Sequence, residues 1–383
     1  MTRFFFIAGE ASGDVLAAAI MRALRDQDPD ASFAGIGGPA MAGAGLDSLV
    51  PFDDLAVMGL MEVLPRVPRL WRHRRTCLRA IEKLKPSVVI TVDLPGFNIS
   101  LARQSKGQRC CPWIHCVAPT VWAWRPGRAK RIAPLFDHLL TLLPFEPPYF
   151  QKHGLPATFC GHPILTSGAD QGDEARFRAR YKIDRDILLI LPGSRRQEVN
   201  RMFPIFYRAY QTLKQQNLSL HPVMVLSPQR FEDVRSQIEN LAAHDLTIIT
   251  DPDEKYDAFA AGQGAFATSG TVTLELAMAG VPCVVGFCLH SLTYRIVRPM
   301  VKVQWGSLVN ILCEREVIPE FLQKQCTPDN LVKAMQRLWS DKDNPQQIFY
   351  SKAIGKLRPK GEGRGDPATI AAQVIGQVSR SHA

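Results

Sequence analysis

Residues Val88 to Asn98 read VVITVDLPGFN. Five residues rich in β-branched side chains, Val88 to Val92, make a run too continuous for a strand with one wet face, and they predict a parallel strand buried on both sides. The run stops at Asp93. Pro95 has no N–H for a ladder and Gly96 loosens the backbone, so the chain turns just beyond the carboxylate. Ligands of open α/β sheets bind beyond the carboxyl ends of the strands, which makes Asp93 the leading candidate for a general base. A plainer role, capping the next helix or ordering the Pro-Gly turn, competes for the same residue.

Upstream, Phe4 to Ala8 reads as a first strand. It enters GEASGD (Gly9 to Asp14) and a helix from about Val15 to Arg25. A Gly-rich strand-to-helix turn offers free N–H groups to an anion or sugar, with Glu10 and Ser12 as its polar groups; many such turns only pack helix on strand. A second strand, Ser32 to Ile36, leads to another glycine turn, and the repeat of strand, turn and helix predicts a doubly wound sheet. Between these lies Val57 to Arg79, where Val63, Val67, Leu70 and Trp71 are crowded by Arg69, Arg72 and further arginines. An apolar face edged with arginine suits a helix lying in an anionic membrane interface, and equally an ordinary amphipathic helix covering a sheet.

Downstream, Pro112 to Val117 predicts a strand, followed by APTVWAWRPGRAKRI (Ala118 to Ile132). Its two tryptophans and basic residues suit stacking on a sugar, or filling of the core. Further strands at Leu139–Leu143 and Thr158–Gly161 close a first domain at residue 163. Ile164 to Asp184 is polar and aperiodic and reads as a linker. A second α/β unit, 164–340, starts with the strand Ile187–Leu191 and the turn PGSRRQEV, where Ser194 and Arg195 at a helix opening suit a diphosphate. Strands at Pro222–Leu226 and Leu246–Thr250 follow. Ala265 to Glu275 (AFATSGTVTLE) repeats the device. Ser269, Gly270 and Thr271 form the turn, and Glu275 falls where it could accept ribose hydroxyls or simply favour the helix dipole. Asn310 is expected in a loop, VIPEFLQ (Val317 to Gln323) in a helical part, and 341–383 as a helical tail packing back on the first domain or a partner. Lys356 to Asp366 interrupts that tail with a basic, Gly-rich stretch expected to be flexible.

The chain has 383 residues, suited to two domains, and no run near the ~20 apolar residues of a membrane span. Its nine cysteines lack CxxC spacing, so neither a zinc site nor a disulfide framework is indicated, and a reducing cytoplasm fits. A net charge of +10 calls for anionic partners. The basic residues form no nucleic-acid motif, which favours anionic lipid and nucleotide diphosphate over nucleic acid.

Two doubly wound domains, an acid on the first and phosphate turns on the second, describe a GT-B glycosyltransferase with its active site in the cleft between them. GEASGD, AVMGLMEVL, DLPGFN, APTVWAWR, LPFE, GHP, LPGSRRQE, SGTVTLE, GVPCVVGF, SLVNIL and VIPEFLQ, in this order, resemble the lipid-A-disaccharide synthases. That resemblance implies an inverting transfer of 2,3-diacylglucosamine from its UDP derivative to 2,3-diacylglucosamine 1-phosphate, with Asp93 as base and Glu10 and Ser12 on the acceptor side. It implies Arg195, Ser194 and the Ser269–Thr271 turn around UDP, Glu275 at the ribose and Asn310 in the donor site. It further implies no metal or other cofactor, and a cytoplasmic protein peripheral to the inner face of the bacterial inner membrane. A homodimer is left open. A UDP-sugar 2-epimerase or a non-catalytic lipid-binding protein would share part of this pattern.

Overall fold

In the computed structural model, which describes residues 2–55, 67–216, 219–290, 293–295, 298–341, 345–359 and 366–382, the run Val88–Val92 is a wholly buried strand. The chain divides into two units, Met1–Thr166 with Leu357–Ala383, and Ser167–Lys356.

The first unit carries β1 (Arg3–Ala8), β2 (Ser32–Ile36), β3 (Val88–Val92), β4 (Trp113–Cys116), β5 (His138–Thr141) and β6 (Ala157–Phe159). They form one parallel sheet in the order β2-β1-β3-β4-β5-β6. The period of two sorts the side chains. Phe4, Phe6 and Ala8 pack on one face with Leu16, Ile20 and Leu24, while Phe5 and Ile7 pack on the other with Ile81, Leu101 and Leu135. Because β2 and β3 flank β1, the winding reverses between β1 and β3, and a crevice opens there at the carboxyl ends.

The second unit repeats the plan with β7 (Asp186–Leu191), β8 (Leu220–Val225), β9 (Thr247–Ile249), β10 (Gly262–Ala267), β11 (Cys283–Phe287) and β12 (Glu320–Leu322). Its parallel order is β12-β11-β10-β7-β8-β9, so the reversal falls between β7 and β10. Pro222 is tolerated inside β8 because pairing with β9 begins only at Val223.

Several local expectations change. VIPEFLQ is not helical: Glu320–Leu322 is the edge strand β12, too short to show a period. The tail from 341 is split, since helix Pro345–Lys356 lies in the second unit. Helix Pro367–Ser381 buries Ala368, Ala371, Ala372 and Ile375 in the first. Residues 360–365 of the basic, Gly-rich stretch lie outside the described residues. From Asp173 the expected linker is pinned. Asp173 caps helix Glu174–Tyr181, and Arg176 clamps Asp257 through Nε and Nη2 at 2.6 and 2.7 Å. A partner 81 residues away leaves no local pattern to read.

Of the arginine-rich segment, residues 56–66 including Val63 lie outside the described residues, and Val67 is described only for its backbone. Helix Val67–Leu84 turns Cys77 and Ile81 into the core, with Leu70 and Leu78 packed beside them. Leu70 therefore belongs to the sheet side of the helix, a correction to its place on a membrane face. Arg72 and Trp71 face outward, Trp71 being 47% exposed with the Arg75 guanidinium 4.0 Å above its ring. Arg69 pairs with Asp54 at 2.9 Å. Among the described residues no helix is long and apolar enough to cross a membrane.

Candidate active site

The crevice of the first unit is built from DLPGFN and GEASGD. Asp93 and Leu94 both take left-handed backbone angles, φ +50° and +46°, a conformation that costs non-glycine residues about 1–3 kcal/mol each. The turn is held from three sides. Asp93 N–H donates to Cys116 O at 2.5 Å, Asn98 Nδ2 donates to Asp93 O at 2.8 Å, and Phe97 N–H donates to Leu94 O at 3.1 Å. Asn98 is fully buried, and its Oδ1 has no partner among the described residues.

Burial pushes the Asp93 carboxyl above the usual aspartate range, with only the Leu94 N–H pulling the other way. Among the described residues no cation offsets the burial. An acid raised in this way takes up a proton more readily than an exposed one.

Gly13 lies against this turn: a Cβ there would sit 3.7 Å from Asp93 Cβ, and one on Gly9 would come 2.5 Å from Leu94 Cδ2. The helix begins at Ala11, earlier than expected, so Glu10 is its half-buried N-cap residue and Ser12 is exposed on its first turn. Asp14, given no role by the sequence, is the buried strut of the crevice. It accepts the N–H groups of Gly38, Ala40 and Met41 at 2.8, 2.9 and 3.1 Å, capping helix Pro39–Gly43.

A second buried acid follows β5. Glu146 accepts from Trp122 Nε1 at 3.0 Å and from Leu143 N–H at 3.1 Å. Burial pushes its carboxyl up to about 7. Trp122 is therefore neither loose nor simply core: its indole is fixed edge-on to Phe145, 5.2 Å between centroids, by a polar anchor.

In the second unit, Gly193 at φ +111° lets the chain leave β7, and Arg195 is the N-cap of helix Arg196–Gln215. A Cβ on Gly193 would meet Glu198 Oε2 at 2.7 Å and Thr268 Oγ1 at 3.3 Å, so this turn and the end of β10 lie together. Ser194 is exposed, and the Arg195 side chain is 63% exposed with Nη1 3.3 Å from Glu198 Oε1. Ser269, Gly270 and Thr271 follow β10, Thr271 standing at the N-cap position of helix Val272–Met278. Glu275 receives Lys255 Nζ at 2.7 Å and Tyr256 OH at 3.2 Å, both on Oε1.

Asn310 lies in helix Leu308–Cys313, not in a loop, and is fully buried. Its Oδ1 accepts from Val317 and Ile318 N–H at 2.8 Å, and its Nδ2 donates to Ile318 O at 2.8 Å and Glu320 Oε1 at 2.7 Å. Glu320, absent from the sequence-derived site, also accepts from Gly306 and Ser307 N–H at 2.7 and 2.8 Å. Burial raises its carboxyl, and these donors oppose the rise. A Cβ on Gly306 would come 2.9 Å from Ser269 Oγ, which puts this buried lattice directly behind the Ser-Gly-Thr turn. Among the described residues no three His, Cys, Asp or Glu side chains are gathered to hold a metal.

These features have close counterparts. A family model described as lipid-A-disaccharide synthetase matches residues 4–362. The lipid-A-disaccharide synthase of Rhodospirillum centenum is 44% identical over 97% of this chain and 93% of its own length. That of Gluconobacter oxydans is 42% identical over 97% of this chain and 89% of its own. Among solved structures, a putative UDP-N-acetylglucosamine 2-epimerase from Listeria monocytogenes superimposes with a TM-score of 0.66 at 13% identity, covering 100% of this chain and 96% of that one. This last likeness shows the GT-B fold. The two synthases and the family model together show more: the chain belongs to the lipid-A-disaccharide synthetase family, glycosyltransferases of lipid A biosynthesis.

Proposed function

We propose that this enzyme transfers 2,3-diacylglucosamine from its UDP derivative to the 6-hydroxyl of 2,3-diacylglucosamine 1-phosphate with inversion, giving a β-1,6-linked disaccharide 1-phosphate and UDP. The observation that carries the reading is Asp93, an acid at the first topological switch point whose raised carboxyl is met by no cation among the described residues. The Asp93 carboxylate takes the proton of the acceptor hydroxyl as its oxygen attacks the anomeric carbon, and the bond to UDP breaks on the opposite face. Glu10 and Ser12, on the helix start packed against Asp93, orient the acceptor.

The negative charge of the leaving UDP is met by Arg195, Ser194 and the N–H groups of the Ser269–Thr271 turn, with no metal or other cofactor in the scheme. Glu275 Oε2 accepts the ribose hydroxyls while Lys255 holds Oε1. Asn310 serves the same site at one remove, by fixing Glu320 and the backbone behind Ser269. Trp71, Arg72 and the neighbouring arginines bring the enzyme to the cytoplasmic face of the inner membrane, where the acyl chains of both substrates reside.

The test is UDP release from acylated donor with and without acylated acceptor. Acceptor-dependent release with disaccharide formation is expected. Isomerisation of the donor alone would instead identify an epimerase.

A further inference from the structure

The loop after β4 gathers positive charge that the reaction as described leaves unused. Arg125, Arg128 and Arg131 make no ion pair or side-chain hydrogen bond among the described residues. Arg125 and Arg128 place their guanidinium carbons 4.8 and 5.8 Å from the centroid of the same ring, Trp124. That ring is itself tied down, Trp124 Nε1 donating to Thr120 Oγ1 at 3.2 Å, and Trp122 two residues earlier is anchored on buried Glu146. Arg125 adopts φ +51°, an uncommon backbone angle for a long side chain. Burial, and then the neighbouring guanidiniums of Arg125 and Arg131, hold Arg128 below the usual arginine value. Like charges brought together on a rigid platform with no counter-charge form a receptor for an anion.

We propose that Arg125 and Arg128, mounted on Trp124, and the neighbouring Arg131 are the subsite for the phosphomonoester of the acceptor sugar. The assignment rests on the acceptor identity argued above. Place and chemistry both favour it. The loop leaves β4 beside Cys116, whose carbonyl receives Asp93 N–H, so base and cationic platform hang from adjacent strands of one sheet. An acceptor with its reactive hydroxyl at C6 and its phosphate at C1 carries one group for each of these two points. Planar guanidiniums bind phosphate oxygens in pairs, and the donor diphosphate already has Arg195 and the Ser-Gly-Thr turn in the second unit.

The test compares the 1-phosphate acceptor with its dephosphorylated form in the wild type and in R125Q/R128Q. The wild type should prefer the phosphorylated acceptor by roughly 10- to 100-fold in kcat/KM, the size expected for charge-assisted hydrogen bonds. In the double variant this ratio should collapse towards one through the acceptor KM, with donor KM unchanged; a retained ratio overturns the subsite. Arg131→Gln alone, at an exposed position, should lower the same ratio less. A wild type that releases no UDP with either acceptor would defeat the proposed reaction, and calorimetry with glucosamine 1-phosphate then decides the subsite. Binding that the double variant loses supports it, and no binding by the wild type overturns it. Phosphatidylglycerol vesicles separate the two sources of phosphate. The double variant should sediment with them as the wild type does, whereas lost sedimentation with a retained acceptor ratio would make lipid headgroups the ligand and overturn the assignment.

Discussion

The two units share one topology and furnish their switch points in opposite ways. Between β1 and β3 stands Asp93, raised by burial and matched by no cation among the described residues. Around the turns after β7 and β10 the acids named above meet donors: Glu198 meets Arg195, Glu275 meets Lys255 on Oε1, and Glu320, on β12 behind the second turn, meets two backbone N–H groups and the Asn310 amide. An acid left without a counter-charge keeps its reactivity, while an acid saturated with donors becomes scaffolding. The contrast agrees with the proposed division of labour, proton transfer in the first unit and the shaping of a phosphate cradle in the second.

The most severe way to break this contrast is Asp93→Asn, which keeps the shape of the turn and removes the base. Turnover should fall by about 10²–10⁴-fold, the usual contribution of a positioned base, with UDP affinity by calorimetry unchanged. Near-normal turnover would return Asp93 to a turn-forming role. On the scaffolding side, Asn310→Ala takes away the partners of the Val317 and Ile318 N–H groups and of the Ile318 carbonyl, and leaves Glu320 Oε1 with Ser307 N–H alone. It should cost roughly 3 kcal/mol of stability in denaturant unfolding, and an unchanged midpoint would show that the lattice behind Ser269 is dispensable. Arg195→Ala should weaken UDP binding by about 10- to 100-fold and slow turnover as well. Since Arg195 is largely exposed, intact UDP affinity would mean that its pairing with Glu198 is only a surface contact.

How much of this the sequence discloses follows the range of each interaction. The strands were legible because FFFIA and VVITV are too apolar for any other place, and the strand ends at Asp93, Gly193 and Ser269 because turn residues punctuate them. What stayed hidden acts at a distance. Asp14 caps a helix that starts 25 residues later in the chain, at Pro39. Trp122 meets Glu146 across 24 residues, and Arg176 meets Asp257 across 81. Glu320 was missed because three residues of edge strand carry no period, and with it the reason Asn310 is buried.

The central claim, that Asp93 is the proton acceptor, is tested most directly by the pH dependence of acceptor kcat/KM measured side by side in the wild type and Asp93→Asn. A base works only when deprotonated. Because burial raises this carboxyl, wild-type activity should fall about tenfold per unit as pH drops through a value above the ordinary aspartate range. In Asp93→Asn the residual rate should show no such limb. The same acidic limb in both proteins would place the essential base elsewhere and contradict the account.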